Sequence, residues 1–186
     1  MKIISIHTKE QRLIKKAQQQ NRAAQQTLYE KHSPKMLGVC RQYVKDMHHA
    51  EELMLSGFLK VFTNIHKYEN KGSFEGWIRR IMINTCISYL RKHNPIILVD
   101  DEQIFKTEEI INIENTGEKE LQKLIDQLPE GYKLVFNLYA IEGYKHSEIA
   151  EKLAISESTS KSQLFKARKW LQKHYIKMND LANGNK

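Results

Sequence analysis

The sequence is poor in residues that break helices, with three prolines and eight glycines among 186 residues. That scarcity argues against an all-β fold, which needs frequent turns. Two cysteines, Cys40 and Cys86, form no CxxC pair, so a disulfide framework is excluded and buried free thiols are favoured. No apolar run approaches the roughly 20 residues of a membrane helix, and the N-terminus carries no apolar signal core. We therefore predict a cytoplasmic protein with no membrane insertion.

The patterns that mark common enzymes are also missing from the sequence. It has no glycine-rich phosphate loop, no HExxH pattern and no Ser/His/Asp arrangement. His48 and Glu51, like His49 and Glu52, have a spacing that could hold a metal, but no second cluster completes the ligand shell. A metal-dependent enzyme is therefore the least favoured hypothesis. We predict no enzyme activity, no catalytic residue, no metal and no cofactor.

The charge distribution points to nucleic acid. The net charge of +8 suits a polyanionic partner, although surplus lysine can also merely aid solubility. The net charge is +10 over residues 1–99, −6 over 100–120 and +4 over 121–186. With helical periodicity on both sides of the acidic stretch, this layout predicts an all-α protein of two small helical domains joined by an acidic linker.

Residues 144–172 predict a helix-turn-helix. Ser160, Leu164, Ala167 and Leu171 share one face of the second helix, and Ser156 is placed to cap its start. Hydroxyls, cations and one aromatic ring form the outer face: Ser158, Lys161, Ser162, Phe165, Lys166 and Lys169. Such a face fits the major groove of DNA. A plain helical hairpin with a solvated basic face is the alternative.

In the first half, residues 49–66 predict an amphipathic helix. Leu55 and Leu59 fall off its apolar stripe, beside Glu52. Scattered exposed leucines are normal, but a pair four residues apart beside an acid suggests a partner surface.

Two further stretches suggest contacts with DNA. The loop 67–73 offers an aromatic ring, cations and an amide, as single-stranded nucleic acid requires, in Lys67, Tyr68, Asn70 and Lys71. A generic loop would look much the same. In the following helix, 74–93, a stripe of Arg80, Asn84, Ile87 and Arg91 could read DNA or be solvated.

Over residues 20–177 the chain resembles the extracytoplasmic-function sigma factors of bacterial RNA polymerase. In the first half, the resemblance rests on LYEKHSP at 28–34, on AEEL through FLKVF at 50–62 and on GSFEGWIRRI at 72–81, with Asn84 and YLR at 89–91. In the second half, it rests on LP at 128–129, EIA at 148–150 and LFKAR at 164–168. A helix-turn-helix alone is weakly specific, but both halves, in order and correctly spaced, are strongly specific.

The resemblance implies a sigma factor that binds core RNA polymerase and recognises minus-ten and minus-thirty-five promoter elements. It implies domains at 10–94 and 120–178, a linker at 95–119, and for many members an anti-sigma partner. Polymerase docking would use Glu51, Glu52, Leu55 and Leu59. The loop from Lys67 to Ser73, with Asn84, would capture a base of the opened strand. Upstream duplex DNA would meet Lys161, Ser162, Gln163, Phe165 and Lys166.

The sequence departs from the family pattern at four places. Leu55-Ser56 stands where the family usually has glutamine and an acid, and Lys145 stands in place of a capping Ser/Thr. Ala154 replaces a turn glycine, and Gln163 stands where arginine is common. The Leu55-Ser56 departure motivates a second hypothesis, a helix-turn-helix regulator that does not recruit polymerase. The other departures bear on promoter preference.

Overall fold

The computed structural model of the protein describes residues 2–93 and 118–183, with side chains over 9–93 and 122–176. Every regular element in these two stretches is a helix or helical turn, which confirms the all-α prediction. The chain separates into two compact units, Met1–Leu90 and Arg91–Lys186. Residues 95–117 of the predicted linker 95–119 lie outside the described residues. Among the described residues, no helix is long and apolar enough to span a membrane.

The first unit is built from four helices. They are α1 (Lys2–Gln18), α2 (Arg22–Tyr43), α3 (Met47–Asn64) and α4 (Phe74–His93), and a 3-10 turn at Ile65–Lys67 follows α3. Polar side chains accept the orphaned N–H groups where three of these helices start. Asn21 accepts from Ala24 at 2.9 Å, Asp46 from His49 at 2.8 Å and Ser73 from Gly76 at 3.0 Å.

Helix α2 continues without interruption through Pro34. Proline removes a hydrogen bond inside a helix, so other contacts have to hold this segment together. They come from a buried stripe on both sides of the proline, namely Leu28, His32, Met36 and Cys40. Burial of that stripe outweighs the local preference of proline.

The α3 stripe faces the core, as its periodicity predicted. Helix α4 is enclosed more widely than its sequence indicated. Its buried residues are Phe74, Ile78, Met82, Ile83, Thr85, Cys86 and Ile87. Ile87, which we had placed on the candidate DNA stripe, is only 4% exposed, so that part of the stripe is wrong. A helix packed on more than one side buries a broader arc than a single stripe shows.

An ion-pair cluster fastens α1 to α2. The Glu10 carboxylate accepts from Lys31 Nζ at 2.8 Å and contacts His32 Nε2 at 2.9 Å. Burial acts to raise the pKa of the Glu10 carboxyl, but the hydrogen bonds from Lys31 and His32 outweigh it and hold that pKa below its ordinary value. The buried His32 ring also meets Phe74 edge-on at 5.8 Å. The cluster therefore links α1, α2 and the start of α4.

After α4, the described helices of the second unit begin at Glu118. This unit contains α5 (Glu118–Gln127), α6 (Glu130–Phe136), a π-helical turn at Asn137–Ile141, α7 (His146–Leu153) and α8 (Glu157–Asn183). Its core joins α5 to α8 through Leu124, Ile125, Leu128, Ala167 and Leu171. The long α8 thus serves both as the candidate recognition helix and as the main support of its unit.

Helices α3 and α4 approach each other closely at Gly57. A Cβ placed on Gly57 would lie 2.2 Å from Met82 Sδ, and Met82 is fully buried. We expect Gly57→Ala to lower the free energy of unfolding by about 1–3 kcal/mol through overpacking. Gly38→Ala is the matched control, because nothing lies within 4 Å of its added Cβ. It should instead raise stability by up to about 1 kcal/mol. Urea unfolding measures both, and equal stabilities would contradict the close contact.

Candidate functional site

The predicted helix-turn-helix is present in the second unit. Helix α7 ends at Leu153, and Ala154 adopts a left-handed conformation with φ 55° and ψ 45°. Ser156 Oγ then accepts from Thr159 N at 2.9 Å and caps the start of α8, as predicted. The turn is therefore built as the sequence indicated, with an alanine at a position that favours glycine.

The start of α7 is capped by only half of a capping box. Glu148 Oε2 accepts from the Lys145 backbone N–H at 2.8 Å. The Lys145 ammonium has only donors. Unlike Ser or Thr, it therefore cannot accept a hydrogen bond from the backbone N–H of Glu148. Lysine at position 145 thus removes one capping hydrogen bond, while the bond from its backbone N–H to Glu148 still caps the start of α7.

His146 joins the two helices of the motif. Its Nδ1 lies 2.9 Å from Ser160 Oγ, and its ring stacks on Tyr139 at 4.6 Å. Burial, and then the nearby Lys161 charge, lower the pKa of His146 below its ordinary value. At neutral pH the uncharged ring therefore connects α7 to α8 through its contact with Ser160.

The outward face of α8 carries most of the predicted residues. Ser158, Lys161 and Phe165 are exposed, while Ser162, Lys166 and Lys169 are half-buried. Arg168, also exposed, lies seven residues after Lys161 on the same face, and its Cζ sits 5.7 Å from the centre of the Tyr139 ring. Sequence reasoning omitted Arg168, although its spacing from Lys161 gave the signal.

The position of Gln163 on α8 differs from our expectation. It is 4% exposed and sits beside Leu164 on the inward face, so the expectation that it faces DNA is wrong. Among the described residues, its buried Oε1 has no hydrogen-bond partner. At a step of 100° per residue, positions 160, 163, 164 and 167 span one face. The arc that packs against the unit is wide enough to take in Gln163.

In the first unit, the loop before α4 displays most of its predicted side chains. Lys67, Asn70, Lys71 and Ser73 are exposed. Asn70 and Gly72 have φ of 59° and 93°, and Lys71 pairs with Glu69 at 2.7 Å. Glycine adopts positive φ without a Cβ clash, and asparagine is among the residues that tolerate it best. Both residue types therefore suit the backbone of this loop.

The exposure of Tyr68 also differs from our expectation. We expected an open aromatic plane, but the residue is 7% exposed. Its ring packs against Phe74 at 5.0 Å and Trp77 at 5.5 Å, and its hydroxyl donates to Gly72 O at 2.7 Å. The ring therefore shapes the loop from beneath.

The candidate stripe on α4 is reduced to three exposed residues, Arg80, Asn84 and Arg91. On α3, all four predicted docking residues are exposed: Glu51, Glu52, Leu55 and Leu59. Leu55 is 54% exposed and Leu59 is 70% exposed. Met47, four residues before Glu51 and 45% exposed, extends this surface and was missed. His48 lies beside it and meets Glu52 at 3.5 Å.

The His/Glu pairs of α3 do not assemble into a metal site. Across the described side chains, no group of three or more His, Cys, Asp or Glu could hold a metal ion.

Comparison with known proteins agrees with this layout. A family model for Sigma-70 region 2 matches residues 28–96, and one for Sigma-70, region 4 matches residues 118–171. The chain belongs to the extracytoplasmic-function sigma factors of the sigma-70 family. It is a promoter-directing sigma factor, a subunit that binds core RNA polymerase and promoter DNA.

Two relatives show how far the similarity of this sigma factor extends. ECF RNA polymerase sigma factor SigM of Bacillus subtilis is 27% identical over 135 residues, covering 70% of this chain and 82% of the relative. ECF RNA polymerase sigma-E factor of Haemophilus influenzae is 26% identical over 177 residues, covering 88% and 93%. Among solved structures, CnrH in complex with the cytosolic domain of CnrY is 18% identical, covers 94% of this chain and 97% of that chain, and gives a TM-score of 0.48.

The strained turn residue gives a direct test of the helix-turn-helix geometry. We expect Ala154→Gly to raise the free energy of unfolding of the second unit by about 1 kcal/mol, because glycine adopts positive φ without a Cβ clash. Ala150→Gly, inside α7, makes the same change in right-handed backbone and should lower stability by about 1 kcal/mol. Thermal unfolding followed by circular dichroism separates the two, and a loss of stability in both variants would contradict the assigned turn.

Proposed function

We propose a division of labour between the two units of this sigma factor. The region 10–94 docks core polymerase through α3 and handles the opened minus-ten strand through the loop and α4. The region 120–178 grips the minus-thirty-five duplex through α8, and residues 95–119 link the two. The polymerase supplies the chemistry, so the chain itself acts without catalysis, in the cytoplasm where polymerase and promoter meet. Family membership also predicts an anti-sigma partner.

The observation that supports docking through α3 is its exposed apolar pair. Leu55 and Leu59 present large apolar side chains to solvent on a helix whose other face is already buried in the core. Glu51 and Glu52 flank them, so the surface combines an apolar centre with an acidic rim. This composition suits a partner with an apolar groove and basic edges.

Leu59 gives the sharpest test of docking. We expect Leu59→Ser to weaken binding to core polymerase by about tenfold or more, because burying a leucine side chain contributes about 1.5–3 kcal/mol. Leu59→Met keeps the apolar area and should retain binding. Fluorescence anisotropy of labelled sigma factor titrated with core polymerase measures both, and duplex DNA binding should be unchanged.

The alternative, a regulator that does not recruit polymerase, makes a different prediction for the wild-type protein. It requires duplex binding with no measurable affinity for core polymerase and no promoter-dependent transcription. In vitro transcription from a library of random promoters, with reconstituted holoenzyme, distinguishes the two functions. It also yields the promoter sequence that the wild-type protein prefers.

DNA binding by α8 rests on its outward cations and its aromatic ring. Lys161, Lys166 and Arg168 can meet phosphates, while Phe165, 37% exposed between them, can contact a base edge. We expect Lys166→Ala to weaken binding to all duplex sequences and to reduce the slope of log affinity against log salt by about 1. Affinity titrations at several salt concentrations measure the slope.

Gln163→Met is the matched control for this experiment. The buried amide does not reach the outward face, so the substitution should leave both base preference and salt slope unchanged. It should also leave stability unchanged or raise it, because it removes a buried oxygen that lacks a partner. A changed base preference in Gln163→Met would show that α8 presents a different face to DNA.

A further inference from the structure

Helix α1 reaches the loop that precedes α4. Its last residue, Gln18, donates from Nε2 to Ile65 O at 3.1 Å and to Tyr68 O at 3.2 Å. These two carbonyls lie at the end of α3 and at the start of the exposed loop. The contact bridges 47 and 50 residues of sequence, and α1 lies outside the region 28–96 that matches the family.

The loop has a second fixed point below its tip. The Tyr68 hydroxyl donates to Gly72 O at 2.7 Å, and the Tyr68 ring is held by Phe74 and Trp77. Gln18 thus holds the backbone of Tyr68, and the Tyr68 side chain holds the far end of the loop. Between these fixed points Asn70 and Lys71 are exposed.

Gln18 itself stands on a rigid base. Ile14 and Ala17, on the turn before it, are 2% and 0% exposed, and Glu10 ties α1 to Lys31 and His32. A side chain on such a helix can fix a loop, because its own backbone has little freedom to move.

The bonding also requires an amide at this position. One Nε2 carries two N–H groups, and here it meets two carbonyl oxygens. Glutamate would offer only acceptors to those carbonyls, and methionine would match the size of glutamine without a strong donor.

We propose that Gln18 is a positioning residue for promoter opening, which fixes the loop 67–73 in the shape that captures an unpaired base. This inference rests on the proposed role of the loop. Loss of the two hydrogen bonds leaves polymerase docking and duplex binding intact, since the docking residues of α3 end at Leu59, six residues before Ile65, and α8 belongs to the other unit. It reduces the fraction of bound promoter that opens.

The test compares promoter opening at equal promoter occupancy. Holoenzyme is reconstituted from core polymerase and the full chain, with a promoter selected from the random library by the wild-type protein. Occupancy is measured by footprinting and opening by permanganate reactivity of unpaired thymines. We expect Gln18→Met to reduce opening about tenfold, because each lost hydrogen bond weakens an equilibrium severalfold. Gln18→Asn retains the amide but shortens its reach, and should show the same defect.

Gln25→Met is the matched control. Gln25 also donates its amide across to α1, to Ala17 O at 3.4 Å, but has no bond to the loop. It should open promoters as the wild-type protein does. Hydrogen exchange of the free protein gives a second readout, in which Gln18→Met speeds exchange of amides 68–73 and leaves those of α4 unchanged.

Three results would overturn the assignment of Gln18. One is wild-type opening in both Gln18 variants. Another is an equal defect in Gln25→Met, and the third is a loss of core polymerase binding that accounts for the reduced opening. If the wild-type holoenzyme opens no library promoter, the proposed function itself fails. An active wild-type protein beside unimpaired Gln18 variants refutes only the positioning role.

Discussion

In a chain built from helices, the backbone groups at helix ends must find partners, and the structure depends on how they do so. Each helix leaves four N–H groups and four carbonyls without partners inside the helix. Here Asn21, Asp46, Ser73 and Ser156 supply acceptors at helix starts. Gln18 supplies donors where α3 gives way to the loop. The loop 67–73 lies at such a break, and Ser73 both caps α4 and belongs to the predicted DNA-binding residues.

This constraint explains which parts of the fold could be predicted from the sequence. Caps and amphipathic stripes are local, so the α3 stripe, the exposed Leu55 and Leu59, and the Ser156 cap followed from spacing alone. The residues that were misplaced depend on packing contacts with neighbouring elements. Tyr68 is buried by Phe74 and Trp77. No local pattern distinguishes such a ring from an exposed one, because an aromatic ring suits both a loop surface and a small core.

Gln163 shows the same limit on α8. Its polarity favoured the outward face, while its position in the helical repeat favoured the inward one. The geometry of the helix prevailed, and the buried Oε1 without a partner is the cost of that placement. Ala154 is a similar compromise, since its left-handed backbone is strained but keeps the turn short enough for α7 and α8 to pack. Gln163 and Ala154, two departures from the family pattern, therefore lie in the packing and the turn of the motif, away from the outward face of α8.

The side chains on the outward side of α8 limit how this sigma factor can recognise duplex DNA. Lys161, Arg168 and the half-buried Lys166 offer charge that can meet phosphates, and Arg168 can also donate two hydrogen bonds to a guanine edge. Phe165 offers an apolar contact suited to a thymine methyl, and Ser158 and Ser162 offer single hydrogen bonds. With Gln163 turned inward, no side-chain amide lies on this face between Ser158 and Lys169. We therefore expect upstream sequence preference to come from the apolar contact of Phe165 and from guanine contacts of Arg168, with the serines adding single hydrogen bonds.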